Sequence, residues 1–350
     1  MKIEQNYNLS KLNTFGIAAN AKFFVEVATE DDTKELFATE EFKNNERLFL
    51  GGGSNVLFTK DFGGLVILNK LKGIEILRED SESVLIKCMG GVVWHDLVLF
   101  TVERNLWGIE NLSLIPGTVG AAPIQNIGAY GVELKNTLVN VEAFDLENGT
   151  KRIFSKDECN FGYRDSIFKN EAKGKYFITA ITLKLSKVEN KNINYKILQE
   201  HLGKNKIEIK NSKDVSDAVS AIRRSKLPDP KIIGNAGSFF KNVFVNKETL
   251  LSLQVKHKDV PYFEEGGVIK IPAGWLIEQC GPASPRSAGQ ARTSWKGHRI
   301  GNVGVHDKQA LVLVNHGGAT GDEVVALAHQ IIQDVKEKFG LKLEPEVNLI

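Results

Sequence analysis

The chain has 350 residues, more than one hydrophobic core usually organises, so two or three domains are expected. Its hydrophobic fraction of 42% and charged fraction of 25% are typical of a globular protein. The formal net charge of +2 gives no reason to expect nucleic acid or an anionic membrane surface as a partner.

The sequence shows none of the usual targeting or metal-binding patterns. Met1–Asn6 lacks the apolar core of a signal peptide, and no apolar run is long enough to cross a bilayer. Cys88, Cys159 and Cys280 are odd in number, far apart and form no C-x-x-C, and the histidines form no H-x-x-x-H pair. We therefore expect a cytoplasmic protein, without a disulfide framework or a metal site, and we expect a monomer.

Strands and helices alternate along the first two thirds of the chain. Short β-branched runs predict strands, and apolar residues at helical spacing predict helices. The predicted strands are 22–27, 47–50, 65–68, 84–88, 139–144 and 176–183, and the predicted helices are 31–37, 93–103 and 215–225.

The strand at 47–50 runs into three glycines, Gly51, Gly52 and Gly53, followed by Ser54 and Asn55. Three glycines let the backbone approach a ligand closely, and a curved run of amides forms an anion nest that suits a pyrophosphate. The segment matches neither the P-loop nor the G-x-G-x-x-G pattern. Taken alone, a triple glycine is more often only a turn.

A second glycine-rich loop, which we call the ring loop, covers residues 115–131 without a charged residue. Its glycines and prolines exclude a helix, and it is too apolar for an ordinary solvated loop. Its free backbone amides suit the edge of a flat, uncharged heterocycle, although a buried crossover between strands explains the stretch equally well. The two loops together indicate a dinucleotide bound outside a Rossmann framework.

Three further segments could carry chemistry. In the first, 160–166, Arg164 beside an aromatic residue suits a substrate carboxylate, although an ion pair with Asp165 is the simpler interpretation. In the second, 234–242, Ser238 is predicted on an exposed glycine-rich turn, with Lys241 just beyond it. The third, 343–347, is predicted to begin a strand, and its acidic residues, Glu346 among them, are of the kind usually solvated.

Two segments near the C-terminus differ sharply in character. Asp322 to Phe339 is predicted as a helix with a Thr320/Glu323 capping box, one apolar stripe and a stop at Gly340. Residues 282–294 are small and polar and lack aliphatic or aromatic side chains, so they are predicted to form a mobile insertion.

Together these segments resemble the UDP-N-acetylenolpyruvoylglucosamine reductase family over nearly the whole chain. Several motifs in the right order are more specific than any one of them. The matching segments are 13–16, the two glycine loops, 162–166, 227–231, the Ser238 loop, 309–313 and 344–347, and Tyr195 in 193–196 matches the tyrosine loop of one subclass.

The resemblance implies an α+β protein. Its FAD-binding half would have the vanillyl-alcohol-oxidase type of fold in two subdomains, 1–70 and 71–226, the second carrying the tyrosine loop. A separate α+β substrate-binding domain would follow at 227–342, and residues 343–350 would return to the first subdomain.

The resemblance also implies the chemistry. In this family NADPH reduces FAD, and a hydride then passes to C3 of the enolpyruvyl group of a UDP-sugar, which yields UDP-N-acetylmuramate for peptidoglycan synthesis. Arg164 and Glu346 would stabilise the charge that develops on the adjacent carboxylate, and Ser238 would donate a proton to C2. Lys241, Asn242 or a water molecule would polarise that serine.

The family pattern assigns the remaining site residues by position. FAD would contact Gly51, Gly52, Gly53, Ser54, Asn55, Pro116, Gly117, Gly120, Ala121, Ala122, Ile127 and Gly128. The UDP-sugar would contact Tyr130, Tyr163, Tyr195, Lys226, Asn242 and Gln309.

The chain departs from the family pattern at a few positions. Ala121 and Ala122 stand where many relatives have serine, and Asn348 stands where arginine is common. Two alternatives remain open, a catalytically silent flavoprotein that binds a nucleotide sugar and an FAD-dependent sugar or alcohol oxidase. The combination of Arg164, Ser238 and Glu346 argues against the first, and the lack of histidine in either glycine loop argues against the second.

Overall fold

The computed structural model describes residues 1–265, 267–282 and 294–350, so the segment expected as an insertion lies outside the described residues apart from Pro282 and Ser294. The chain divides into two compact units. The first consists of Met1–Tyr7, Asn20–Gly53 and Phe62–Ser225, and the second consists of Asn8–Ala19, Ser54–Asp61 and Lys226–Ile350.

The strands of the described residues are β1 (Ile3–Asn8), β2 (Asn20–Val27), β3 (Arg47–Leu50), β4 (Val56–Leu57), β5 (Phe62–Asn69), β6 (Ile74–Glu79), β7 (Ser83–Met89), β8 (Gly128–Ala129), β9 (Val132–Glu133), β10 (Leu138–Asp145), β11 (Lys151–Ser155), β12 (Tyr176–Ser186), β13 (Gly234–Ser238), β14 (Val243–Val245), β15 (Phe263–Glu265), β16 (Val268–Ile271), β17 (Arg299–Ile300), β18 (Val303–Val305), β19 (Val312–Asn315) and β20 (Asn348–Leu349). The α-helices are α1 (Glu30–Ala38), α2 (Glu40–Asn44), α3 (Trp94–Val102), α4 (Lys196–Asn205), α5 (Ser212–Lys226), α6 (Lys247–Lys256), α7 (Ala273–Glu278) and α8 (Gly321–Phe339).

The first unit contains two sheets. One has the order β1-β2-β5-β3 and pairs β2, β5 and β3 in parallel, with Val25 and Ile67 fully buried in its core. The other is antiparallel with the order β11-β10-β12-β7-β6, and its core continues into α3 and the ring loop through Leu97, Val119 and Ile181. The predicted strands and helices of this region are confirmed, most of them slightly longer than predicted.

The second unit is built around two antiparallel sheets, β13-β19-β18-β17 and β14-β16-β15. The long helix α8 is confirmed with both of its ends, since Thr320 and Glu323 form the capping box and Gly340 ends the helix in the left-handed region. Its apolar stripe, including Val324 and Ile331, is buried because it is the only face of the helix that is apolar throughout. Among the described residues, none of the helices combines the length and the apolar composition that a bilayer span requires.

The unit boundaries differ from the predicted domain boundaries at three segments. Residues 8–19 and 54–61 were expected in the FAD-binding part, and 343–350 was expected to return to it, but all three belong to the second unit. Tertiary pairing explains this, because β20 adds to β4 in parallel and Asn315 donates a hydrogen bond to the Phe15 carbonyl at 2.8 Å.

Two local predictions are wrong. Ser238 is the last residue of strand β13 rather than part of a turn, because β13 pairs with β19. The last strand begins at Asn348, after the acidic residues, because the chain pairs with β4 only from that point, while Pro345 makes a single bridge to Phe240.

Candidate active site

In the first unit the two glycine-rich loops pack against each other. A Cβ atom added to Gly52 would lie 2.9 Å from the Cα of Gly117, and one added to Gly51 would collide with the hydroxyl of Thr118. The triple glycine follows β3, whereas the ring loop begins at residue 115 and includes β8, so only the fold brings them together. Glycine is needed at Gly52 because the backbone of Gly117 leaves no space for a side chain.

Where the loops meet, one polar atom has no partner. The Thr118 hydroxyl is buried and makes no hydrogen bond among the described residues. A buried hydroxyl left unpaired is costly, so a ligand that accepts or donates a bond there is favoured. This hydroxyl, which the sequence reasoning did not select, fits the FAD site that the resemblance placed in these loops.

The ring loop is bonded to the strands behind it. Val119–Ala121 forms a 3-10 turn, the Gly120 amide donates to the Gly90 carbonyl at 2.8 Å, and Ala122 is 2% exposed. The loop ends in the small hairpin of β8 and β9. Its position therefore depends on backbone bonds made by residues that the resemblance assigns to FAD.

A tight turn at Gly162–Asp165 packs on the ring loop. Asn126 donates to the Gly162 carbonyl at 3.0 Å, and Ser166 donates to the Ile124 carbonyl at 2.7 Å. Arg164 lies at the left-handed φ of 53° and donates to the Gly128 carbonyl at 2.6 Å, with its guanidinium 5.4 Å from the centre of the Tyr163 ring. Arg164 and Tyr163 thus lie beside the predicted flavin-binding residues.

A second guanidinium lies near the first. Arg223 on α5 hydrogen-bonds to Tyr130, and its Nε is buried without a hydrogen-bond partner among the described residues. Burial lowers the pKa of Arg223, the Tyr130 hydroxyl raises it, and the neighbouring charge of Arg164 lowers it. Two close, partly desolvated cations make a site that attracts an anion. The sequence reasoning missed Arg223 because it stands among polar residues at the end of a helix.

Two of the three tyrosines of the first unit that were assigned to substrate meet edge to face. Tyr130 and Tyr195 have ring centres 5.6 Å apart. Asn111 holds both of their segments, donating to the carbonyls of Tyr130 at 3.0 Å and Asn192 at 2.8 Å. Burial raises the pKa of Tyr130, against the opposing effect of Arg223. The structure therefore brings the tyrosine loop beside the ring loop.

In the second unit a β-bulge sets the direction of Ser238. The register of β13 against β19 shifts between Asn235 and Ser238, so three steps on β13 match two on β19. Gly237 within the bulge has a φ of +69°, a conformation that favours glycine. Bulges of this kind redirect a side chain beside an active site.

The backbone of Glu346 pairs with the chain just beyond Ser238. The Glu346 amide donates to the carbonyl of Phe239, the residue after Ser238, at 2.8 Å. Asn55 donates its side-chain amide to the Glu346 carbonyl at 3.3 Å and accepts from the amide of Asn348 at 3.0 Å. The proposed serine, the proposed glutamate and the end of the triple-glycine segment are thus linked within one unit.

The other predicted residues of this unit have local partners. Lys241 lies 3.8 Å from the carboxylate of Glu344, and Asn242 accepts the amide of Ala273 at 3.1 Å. Gln309 accepts the Leu311 amide at 3.3 Å. Lys241 and Asn242 are the sequence candidates for polarising Ser238. In the structure the side chain of Lys241 is directed to Glu344, and that of Asn242 to the amide of Ala273.

Comparisons with known proteins agree with this picture. Two family models match, the FAD binding domain at residues 21–155 and the C-terminal domain of UDP-N-acetylenolpyruvoylglucosamine reductase at residues 229–350. The reductases of that name from Flavobacterium johnsoniae and Amoebophilus asiaticus are each 47% identical to this chain over 100% of both sequences. The reductase from Chromobacterium violaceum is 45% identical over 99% of this chain and 98% of its own.

A solved structure supports the fold. The crystal structure of UDP-N-acetylenolpyruvylglucosamine reductase from Thermus caldophilus aligns with a TM-score of 0.63 at 22% identity, covering 100% of this chain and 99% of that one. At that identity the match shows a shared fold and nothing about individual side chains.

Proposed function

The chain belongs to the UDP-N-acetylenolpyruvoylglucosamine reductase family, and from that membership we propose which of its residues carry the reaction. The protein is an FAD-dependent oxidoreductase that uses NADPH to reduce the enolpyruvyl group of this UDP-sugar in peptidoglycan synthesis. The predictions of family, fold type, activity and cofactor are confirmed, and neither the silent-flavoprotein nor the oxidase alternative is favoured.

Three residues are proposed to act on the enolpyruvyl group. Bound FAD supplies the hydride that adds to C3, which leaves negative charge at C2 and on the adjacent carboxylate. Arg164 binds that carboxylate, and Glu346, as the protonated acid, donates a hydrogen bond to it, so both act where charge develops. Ser238 donates its proton to C2 and completes the addition across the double bond.

The observation that carries this proposal is the placement of Ser238. A serine at the end of a plain strand would be an ordinary surface residue. Here a β-bulge turns it, and the Glu346 amide donates to the carbonyl of the next residue, Phe239. Such an irregularity disturbs the sheet ladder, and a role for Ser238 in contact with substrate accounts for it.

The substrate contacts are also proposals. We propose that Tyr130, Tyr163 and Tyr195 bind the UDP-sugar in the first unit, supported by the edge-to-face contact of Tyr130 with Tyr195. In the second unit we propose that the residues that bind this sugar are Lys226, Asn242 and Gln309. Lys226 ends α5 and is half-buried, and its positive charge suits an anionic diphosphate.

The test separates the two halves of the reaction. Ser238→Ala should retain FAD and still be reduced by NADPH at the wild-type rate, because no proton to C2 is needed in that step. Reoxidation of the reduced flavin by the enolpyruvyl UDP-sugar should slow by about 10²–10⁴-fold, the usual effect of losing a general acid. Stopped-flow absorbance of the flavin measures both rates.

The control is Ser252→Ala on α6, an exposed serine that should leave both rates unchanged. Wild-type reoxidation in Ser238→Ala would show that the proton comes from another group. Equal slowing of both half-reactions would point to a structural role for Ser238 and would also contradict the proposal.

We propose in addition that the protein acts in the cytoplasm as a monomer without a nucleic-acid partner. Three buried free cysteines fit a reducing compartment, and the net charge of +2 favours no polyanion. Size-exclusion chromatography with light scattering tests the oligomeric state, and a dimer mass would contradict it.

A further inference from the structure

The start of α3 and the residues just before it hold the beginning of the ring loop and the segment that precedes it through four hydrogen bonds. Two are backbone bonds, from the Trp94 amide to the Gly117 carbonyl at 3.0 Å and from the Val119 amide to the Val92 carbonyl at 2.9 Å. A third runs from the Trp94 indole to the Leu112 carbonyl at 3.0 Å. The fourth is made by a side chain that can titrate: Nδ1 of His95 accepts the amide of Leu114 at 3.1 Å.

Leu114 is the residue that most needs such a bond. Its φ is +55°, in the left-handed region, where a leucine side chain is strained. A residue in that conformation persists only where its surroundings restrain it. Leu114 immediately precedes the ring loop, so relaxing its backbone would displace the residues that follow, Pro116 and Gly117 among them.

We propose that His95, in its neutral form, is a positioning residue for the FAD-binding ring loop, and that protonating His95 releases this loop. The proposal rests on the assignment of the ring loop to FAD. An unprotonated Nδ1 accepts the Leu114 amide, so the ring proton lies on Nε2. A protonated imidazole has no acceptor on either nitrogen, so it cannot make this bond.

Burial and the charged groups around His95 together favour its neutral form, although the groups do not all act in the same direction. They are Asp96 on α3 and Arg223 and Arg224 on α5. Burial lowers the pKa of His95 most, Asp96 raises it, and the two arginines lower it, so that the net shift is downward from 6.5. The unfolded chain therefore binds a proton more readily than the folded one. Stability from this group is present above pH ~6.5 and declines as the pH falls below it.

The experiment measures FAD affinity of the apo protein between pH 7.5 and pH 5.5, by the quenching of flavin fluorescence. Wild-type protein should bind FAD progressively more weakly as the pH falls and His95 takes up its proton, by at most about three- to tenfold, the effect of losing one hydrogen bond. His95→Asn keeps an acceptor near the position of Nδ1 and cannot titrate in this range, so its affinity should stay near the wild-type value and change less with pH.

His95→Leu removes the acceptor and should bind FAD about three- to tenfold more weakly already at pH 7.5. His329→Asn, on the exposed side of α8, is the control and should keep the wild-type pH profile. Amide hydrogen exchange gives a second measurement. The Leu114 amide should exchange faster in His95→Leu than in the wild type. In the wild type, the protection of this amide relative to an unstructured amide at the same pH should decrease as the pH falls.

Identical pH profiles for wild type and His95→Asn would overturn the proposal, as would wild-type affinity in His95→Leu at pH 7.5. If His95→Leu does not fold, the comparison of wild type with His95→Asn still decides. The readout is FAD binding rather than proton transfer to substrate, so a failure here is distinguishable from a failure of the Ser238 assignment.

Discussion

The contact between the two glycine loops predicts a large effect for a single methyl group. In Gly52→Ala the new Cβ would lie 2.9 Å from the Cα of Gly117, closer than real Cβ contacts are, and the obstacle is backbone. One loop must therefore move by several tenths of an ångström. Overpacking of this kind typically costs about 1–3 kcal/mol. For a unit of this size that corresponds to a fall in melting temperature of roughly 2–12 °C.

The displaced loops are those assigned to FAD, so the variant should also lose cofactor. A ligand at a hundred times its dissociation constant stabilises a protein by ~2.7 kcal/mol, and that increment should shrink in the variant. The assay compares thermal unfolding with and without added FAD and measures bound flavin by its visible absorbance. Gly52→Ala should be less stable without FAD and should gain less from it.

Gly63→Ala is the matched control, since a Cβ there meets nothing within 4 Å and the residue lies exposed in β5. This substitution should be neutral, or stabilising by about 0.4–1 kcal/mol, because alanine restricts the unfolded chain more than glycine. The reasoning is refuted if Gly52→Ala keeps both the wild-type flavin content and the wild-type response to FAD.

Two further substitutions test the unpaired groups of the site. Thr118→Val keeps the shape of the side chain and removes the unpartnered hydroxyl, so FAD affinity should fall about tenfold, while the apo protein should be at least as stable as the wild type. A titration with FAD and a melting curve check this, and unchanged affinity would contradict it. Arg223→Met removes a partly desolvated cation beside Arg164, so the apo protein should be no less stable than the wild type, whereas kcat/KM for the UDP-sugar should fall about 10–100-fold. Lower stability with unchanged kinetics would instead show a structural role.

Local signals in the sequence predicted the regular elements well. Helix α8 was predicted to its ends because its capping box, its apolar stripe and its terminal glycine all lie within the helix or next to it. The glycine loops were selected for the same reason, since glycine clusters between strands are visible without any tertiary contact. Signals of this kind depend on spacing along the chain alone.

Features that depend on pairing were missed. Ser238 was predicted on a turn because Gly234 to Ser238 has a turn-like composition, but the partner β19 makes this segment a bulged strand. The contact of Gly51 with Thr118 joins residues far apart in sequence, and so does the bond between Tyr130 and Arg223. Neither residue type signals its partner, so sequence patterns alone could not find them.

Backbone strain is concentrated where the ring loop and its neighbours must hold a shape. In the part of the chain that the structure describes, the positive-φ residues other than glycine and asparagine are Leu114, Tyr130, Arg164 and Lys206. Lys206 caps the end of α4, a common place for this conformation. The other three lie in or beside segments assigned to flavin or substrate.

Each of these three residues costs of order 1–3 kcal/mol in this conformation, and each belongs to a segment held by its own hydrogen bond. Leu114 donates to His95, Tyr130 has its carbonyl bonded by Asn111, and Arg164 donates to the carbonyl of Gly128. Each strained backbone position is therefore also a position that a hydrogen bond holds. We expect such a pattern where the position of a loop matters more than its stability, because relaxing any one residue would move atoms that must meet the cofactor or the sugar.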